Sequence, residues 1–234
     1  MKDESVQGEP RLIRSRGLRI PFDPAFIDRR KRRLLRSGQY ERREIEAVKA
    51  LVRPDDVVIE LGGGIGYMST YLTHNRKVAR VHSFEANPDL IPFIKRVHAA
   101  NGVTNVTVHN AILGPRKGRK SFHIREDFLA SSLEAAPTGK TSPVTRIEQV
   151  EVVNAKSAFR EIRPSFLVCD IEGAEAEILP LPDLAGLRGA VIELHPQWIG
   201  EAGVAAVFNA MIRAGLTFYP RASNKKVVAF LRDW

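Results

Sequence analysis

The stretch VVIELGGGIGYMS, residues 57–69, constrains this chain more than any other part of it. Val57 to Leu61 is a strand-length apolar run that feeds straight into Gly62, Gly63, Gly64 and Gly66. Glycines set this densely after a strand let something come close to the backbone. A strand, a glycine turn and a helix form the opening unit of an open α/β sheet, whose ligands sit beyond the carboxyl ends of the strands. Backbone N–H groups at such a turn, together with the helix start behind it, suit a negatively charged ligand group.

The rest of the chain fits that unit. A helix near Glu41 to Val52 carries Ile45, Val48, Leu51 and Val52 at helical spacing, and Arg53-Pro54-Asp55-Asp56 breaks it before the first strand. Val78 to Phe84, Val106 to His109, Ser165 to Asp170 and Ala190 to His195 read as strands. Pro88 to Asn101 and Val204 to Ala214 read as helices, and LTFYP with VVAFL as two strands joined by a turn. Alternating strands and helices predict a mainly parallel sheet with right-handed crossovers and helices on both faces. The final hairpin supplies an antiparallel edge. Residues 114–153 break the alternation and are expected to form an inserted hairpin or flap within a domain spanning 38–234.

Residues 1–37 are expected to form a basic extension, with a helix beginning near Asp23 or Pro24. Thirteen Lys/Arg against six Asp/Glu in residues 1–43 hold most of the chain's net charge of +9. The run DRRKRRLLR, Asp28 to Arg36, can attract phosphates of nucleic acid or an anionic membrane surface. No aromatic residue is interleaved in it for base stacking, so a solvated helix face is the preferred reading. No apolar run reaches membrane-spanning length, and MKDESVQGEP lacks the apolar core of a secretory signal. Cys169 is the single cysteine, which rules out an intrachain disulfide and a cysteine metal cluster and makes the cytoplasm the natural compartment.

Spacing separates the ligands a glycine loop can take. A P-loop needs Gly-Lys-Ser/Thr opening the helix, whereas Gly66 is followed by Tyr67-Met68. A dinucleotide fingerprint places its third glycine where Tyr67 stands. What remains is E-x-G-x-G-x-G from Glu60, the pattern of Rossmann-like methyltransferases that use S-adenosylmethionine (SAM). Loop amides suit the methionine carboxylate of SAM, and Glu60 its ammonium. Glu85 lies 23 residues after Gly62, close to the spacing of about 20 that serves a ribose diol. A turn built only for close packing, with Glu85 as a helix cap, is the plainer alternative.

At this point the chain resembles the FkbM family of SAM-dependent methyltransferases. The likeness rests on Tyr40-Glu41, VIELGGGIGYMS, FEANP, LIPFIKRVHAANGV leading to VTVHNAILG, ASSLE at 130–134, CDIEGAEAEIL at 169–179 and VIELHP at 191–196. Family members carry an Asp-x-Glu-Gly-x-Glu signature where Asp170 to Glu175 stand. The chain departs from the usual pattern at Glu60, Ala86 and Cys169, where Asp, Pro and Lys are common, and in VEVVNAKSAF, which lacks a Thr-Leu-Asp. The resemblance implies a Rossmann-like, doubly wound, seven-stranded sheet. It also implies SAM contacts from Glu60, Gly62, Gly63, Gly64, Gly66, Tyr67, Glu85, Ala86, Asn110, Ala111 and Asp170.

Methylating a hydroxyl requires the acceptor oxygen to be held for in-line attack and its proton to be removed. Asp170 and Glu172 close the fourth sheet strand, and His195 closes the fifth. Asp170 or His195 is expected as the base, with Glu172 orienting the acceptor or the SAM ammonium. Acidic residues opening a helix, as Glu172, Glu175 and Glu177 do, are also stabilising through its dipole. These groups could hold a divalent cation, but none has dedicated ligand spacing and no metal is expected. The leading expectation is an O-methyltransferase for a small molecule or glycan. An RNA methyltransferase using the basic arm, and a non-catalytic module binding an acidic partner, are the competitors.

Overall fold

The computed structural model describes residues 11–126, 133 and 142–234. Its centre is a seven-stranded sheet in the spatial order β11 (Thr217–Phe218), β12 (Val227–Leu231), β10 (Gly189–Glu193), β9 (Phe166–Cys169), β3 (Val57–Leu61), β4 (Arg80–Phe84), β5 (Val106–His109). Neighbours pair in parallel except at β12, which runs antiparallel to β10 and β11. The one reversed strand therefore lies inside the sheet, and the short β11 forms the rim.

Alternation sorts the central strands onto two cores. Val58, Phe166 and Val191 join one cluster, while Ile59, Leu167 and Ile192 join the other. The first cluster is covered by α2 (Arg42–Leu51), α3 (Tyr67–His74) and α4 (Leu90–Ala100), through residues such as Ile45, Leu72 and Phe93. The second is covered by α5 (Ala155–Ile162), α6 (Glu175–Ile178) and α7 (Pro196–Arg213), through Phe159, Ile178 and Met211. These residues form helices because their apolar positions recur on one face, which packs on the sheet. Helices on both faces make the arrangement doubly wound.

The basic segment differs from the expected helix near Asp23. It opens with a hairpin, β1 (Leu12–Ser15) and β2 (Leu18–Pro21), turned at Arg16 (φ 47°) and Gly17 (φ 84°). Two positive φ values in succession are those of a type I′ turn, the favoured hairpin connection. Helix α1 (Arg29–Arg36) starts later, because Asp28 caps it by accepting from the Lys31 amide at 2.6 Å. Ile13, Leu18, Ile20, Ile27 and Leu35 are buried in the same cluster as Val58 and Leu72. Arg29, Arg30, Arg33 and Arg36 face solvent.

A separate three-stranded sheet contains β6 (Ala111–Gly114), β8 (Val144–Asn154) and β7 (Gly118–Arg125), with β8 in the middle. The stretches KSFHIR and IEQVEVV thus pair antiparallel, Phe122 opposite Glu148. Of ASSLE, only Leu133 lies among the described residues.

The register places the site. Leu61 pairs with Cys169, and Cys169 with Ile192, so β3, β9 and β10 end level with one another. Gly62, Asp170 and Glu193 come next in line.

Candidate active site

The glycine loop is held first by its own protein. Gly62 and Gly63 donate to the Phe84 carbonyl at 3.0 and 3.1 Å, and Gly66 to the Gly63 carbonyl at 2.8 Å. A Cβ on Gly62, whose φ is 91°, would stand 1.9 Å from the Asp170 carbonyl oxygen. What the run of glycines admits is chiefly neighbouring chain. Only at Gly64 does a Cβ position look into open space. The amides left for an anion are those opening α3, which lack intrahelical partners in any helix. Tyr67 begins that helix, but its ring is buried and its hydroxyl meets Ser15 Oγ at 2.9 Å. Its backbone alone faces the loop.

Glu85 ties β4 to the loop. One carboxylate oxygen accepts from the Gly64 amide at 2.8 Å and the other from the Asn87 amide at 2.7 Å. Burial pushes its pKa up to about 7 against the pull of these amides. Each oxygen keeps a lone pair for a further donor. Asn110 pins the same turn, donating to the carbonyls of Glu85 at 3.0 Å and Ala86 at 3.1 Å. Ala86 packs against the small cluster of Phe122, Ile124 and Val150, and Ala111 is buried at the start of β6.

Glu60 is the unusual group. It is 1 % exposed, and neither carboxylate oxygen completes a hydrogen bond within the protein. Burial pushes its pKa up to about 8, with Ser83 and Ser69 pulling the other way. An orphaned buried carboxylate beside a helix start suits an ammonium, and Glu85 suits a hydroxyl pair. The residues present therefore fit SAM.

A second set of acids lies across the loop. His195 Nε2 is 3.2 Å from Glu172 Oε2, 3.7 Å from Asp170 Oδ1 and 4.0 Å from Glu193 Oε1. On its other side Nδ1 is 3.4 Å from Glu175 Oε1, which also accepts the His195 backbone amide at 2.8 Å. The imidazole is 2 % exposed, Glu175 is fully buried, and the side chains of Asp170 and Glu172 are each 40 % open to the cleft. Burial lowers the pKa of His195, but Glu175, Glu172 and Asp170 outweigh it and raise it to about 9. Burial and the neighbouring Glu193 push Asp170 up to about 8. Glu44, buried on α2, is raised to about 7 by burial and Glu193. Glu41, also packed deep at the head of α2, is pushed well up by burial and by Glu44 and Asp170.

Asp170, Glu172 and His195 thus meet, as do Glu60, Glu85 and the loop. Sequence reasoning gave no role to Glu193, Glu44 or Glu41 and treated Glu175 as a helix-opening acid. The available signal was Glu193 inside the apolar run AVIEL, where an unpaired charge is costly.

The sequence model of the methyltransferase FkbM domain matches residues 60–234. The chain belongs to the FkbM methyltransferase family. The loop with Glu60 and Glu85 lies within the matched span. Among curated relatives, the ribosomal RNA small subunit methyltransferase A of Rubrobacter xylanophilus is 32% identical over 93 residues, 38% of this chain and 34% of that protein. The tRNA wybutosine-synthesizing protein 2 homolog of Danio rerio is 30% identical over 138 residues, 54% of this chain and 32% of that protein. The FkbM chain spans about a third of the length of the curated relatives it matches. Among solved structures, M. jannaschii TYW2 in complex with AdoMet superposes with a TM-score of 0.48 at 13% identity, over 95% of this chain and 83% of that one. Likenesses this loose carry no argument about the acceptor. Among the described residues, no helix of this FkbM protein is long and apolar enough to cross a membrane.

The buried acids set a pH dependence. Glu60 and Glu85 have pKa values above their unfolded ones, so the stability they contribute is present below about pH 4.5 and lost as pH rises through 7 and 8. His195, raised to about 9, contributes stability below its unfolded pKa that is lost as pH climbs through 9. Thermal melts without ligand are expected to fall steadily from pH 5 to pH 9. Glu60→Gln, which keeps the shape without the charge, should raise the melting temperature at pH 8 and flatten this profile. Identical profiles for the two proteins would contradict the buried-acid account.

Proposed function

We propose that this methyltransferase transfers a methyl group to a hydroxyl of a small molecule or glycan. The observation that carries this reading is the carboxylate-lined floor of the cleft, where Asp170 and Glu172 are open to solvent beside the end of β3. Carboxylates accept hydrogen bonds from hydroxyls, and they repel a phosphodiester. A polyhydroxylated acceptor fits such a floor better than a nucleic-acid backbone does.

Glu60, Glu85 and the amides opening α3 would hold SAM, which supplies an activated methyl group when bound. The protein's own part is to orient the acceptor and move its proton. Glu172 and Asp170 accept from the acceptor's hydroxyls and fix their direction. The hydroxyl proton passes to the cluster of Asp170, Glu172 and His195, whose atoms lie within 3.7 Å of His195 Nε2. Glu175 accepts the His195 backbone amide and stands 3.4 Å behind Nδ1, which leaves the Nε2 edge of the ring turned to the acids.

An RNA acceptor is the second reading. It is favoured by the hairpin, where Arg14 and Arg19 stand directly opposite each other, and by the exposed arginines of α1. Like charges in register are unfavourable without a counter-charge.

Both readings meet in one experiment. Purified protein is incubated with methyl-labelled SAM and either a panel of sugars and aliphatic alcohols or folded RNA. Label should pass to a hydroxyl compound, and Glu172→Gln should lower that rate by about tenfold or more. Transfer to RNA alone, lost steeply with added salt, would replace the first reading by the second.

A further inference from the structure

Asp170, Glu193 and His195 each offer one ligand atom, and the three atoms lie within 4.8 Å of one another. We infer that they form a divalent-cation site at the cleft floor, which rests on the hydroxyl-acceptor reading and specifies how that acceptor is held.

Four observations support it. The residues come from the level ends of two adjacent parallel strands, so the site is fixed by sheet register rather than by a mobile loop. His195 is 98 % buried, and its Nε2 is turned to three carboxylates at 3.2, 3.7 and 4.0 Å, those of Glu172, Asp170 and Glu193. Behind it Nδ1 stands 3.4 Å from the fully buried carboxylate of Glu175 without completing a hydrogen bond, one small ring movement from the carboxylate–imidazole pairing common behind metal-bound histidines. Finally, Glu41, Glu44, Asp170, Glu172, Glu175 and Glu193 crowd together, and among the described residues the basic groups acting on them include His195, Arg43 beside Glu44 and Lys226, 3.7 Å from Glu193. A cation bound among these carboxylates would balance the charge that burial otherwise disfavours.

Ligands bonded at about 2.1 Å to one ion sit roughly 3 Å apart. The carboxylates of Asp170 and Glu193, now 3.7 and 4.0 Å from His195 Nε2, must therefore close on it by about an ångström or less, within reach of a rotamer adjustment. One imidazole with two carboxylates suits a hard or borderline ion such as Mn²⁺. Glu172, outside the ligand set, stays beside the ion. An acceptor hydroxyl bound to the ion becomes more acidic, and its proton goes to Glu172.

The test is Mn²⁺ titration of the full-length protein after dialysis against chelator, read by loss of the free-ion electron paramagnetic resonance signal. One ion per chain is expected. Glu193→Gln and Asp170→Asn should weaken binding by at least tenfold, and Glu175→Gln by about tenfold through the imidazole. Glu46→Gln, a surface carboxylate paired with Arg16, should change nothing. Circular dichroism and thermal melts check that each variant is folded. No stoichiometric binding, or equal binding by wild type and Glu193→Gln, overturns the site. Methyl transfer at full rate in excess chelator overturns its part in the reaction. Tight Mn²⁺ binding without transfer to any hydroxyl would leave the site standing and sink the hydroxyl-acceptor reading instead.

Discussion

Gly62→Ala is expected to cost about 3 kcal/mol or more of stability and to lower SAM affinity by at least a hundredfold. The added methyl would sit 1.9 Å from the Asp170 carbonyl oxygen, well inside contact distance, and that oxygen belongs to backbone. It cannot swing away as a side chain would, because the Asp170 amide is bonded to the Leu61 carbonyl at 2.8 Å. Relief needs the ends of β3 and β9 to part. That would also break the Gly62 amide's bond to Phe84 and shift Gly64 against Glu85. The φ of 91° adds strain for any residue with a Cβ. Gly64→Ala is the matched control, since its methyl would meet nothing within 4 Å and only the φ of 51° is strained. It should cost about 1–2 kcal/mol. Thermal melts and calorimetric titration with SAM compare the two. Equal losses would mean the close approach at Gly62 is not what the loop depends on.

Asp56→Ala is expected to cost about 3–5 kcal/mol, the scale for breaking one side of a buried ion pair. Asp56 is 1 % exposed and lies just before β3. Its carboxylate accepts from the Arg53 amide at 2.7 Å, Ser165 Oγ at 2.7 Å and Arg188 Nε at 2.8 Å, and it pairs again with the Arg188 terminal nitrogen. Arg188 also donates to the Leu51 carbonyl at 2.9 Å and stacks over Phe166. One carboxylate thus fastens the starts of three adjacent strands, β3, β9 and β10. Removing it strands a guanidinium among carbonyls and an apolar ring. A domain of this size loses about 2–4 °C per kcal/mol, so the melting temperature should fall by roughly 10 °C. The double variant with Arg188→Ala should be less destabilised than the two single effects added together. Strict additivity would show that the pair does not act as a unit.

These two positions show where the sequence could be read and where it could not. Gly62 announces itself, because a strand running into glycines allows few backbone paths. What approaches it is not legible locally, since Gly62 admits the Asp170 carbonyl from more than a hundred residues away. Asp56 looked like part of a helix-breaking turn, since nothing nearby reveals a partner 132 residues on. The five parallel strands and their helices were legible because each buries a local apolar pattern. The hairpin at 12–21 was passed over although Ile13 and Ser15, then Leu18 and Ile20, alternate correctly. Its arginines dominated the reading, and they occupy the outward positions. The cluster around His195 was half legible for the same reason. Asp170 and Glu172 belong to a contiguous motif, whereas Glu44, Glu175 and Glu193 reach it from separate elements.

The Ser15–Tyr67 contact and the apolar residues behind it bear on how this protein can be shortened. The family match begins at Glu60, which invites trimming to that boundary. Such a fragment would lose Ile13, Leu18, Ile20, Ile27 and Leu35 from one side of the sheet, along with Tyr40 against Tyr67. Leu72, Phe93 and Ile94 would then meet water as one sticky face. A recombinant fragment cut there should collect in inclusion bodies, whereas one that keeps the hairpin should stay in solution.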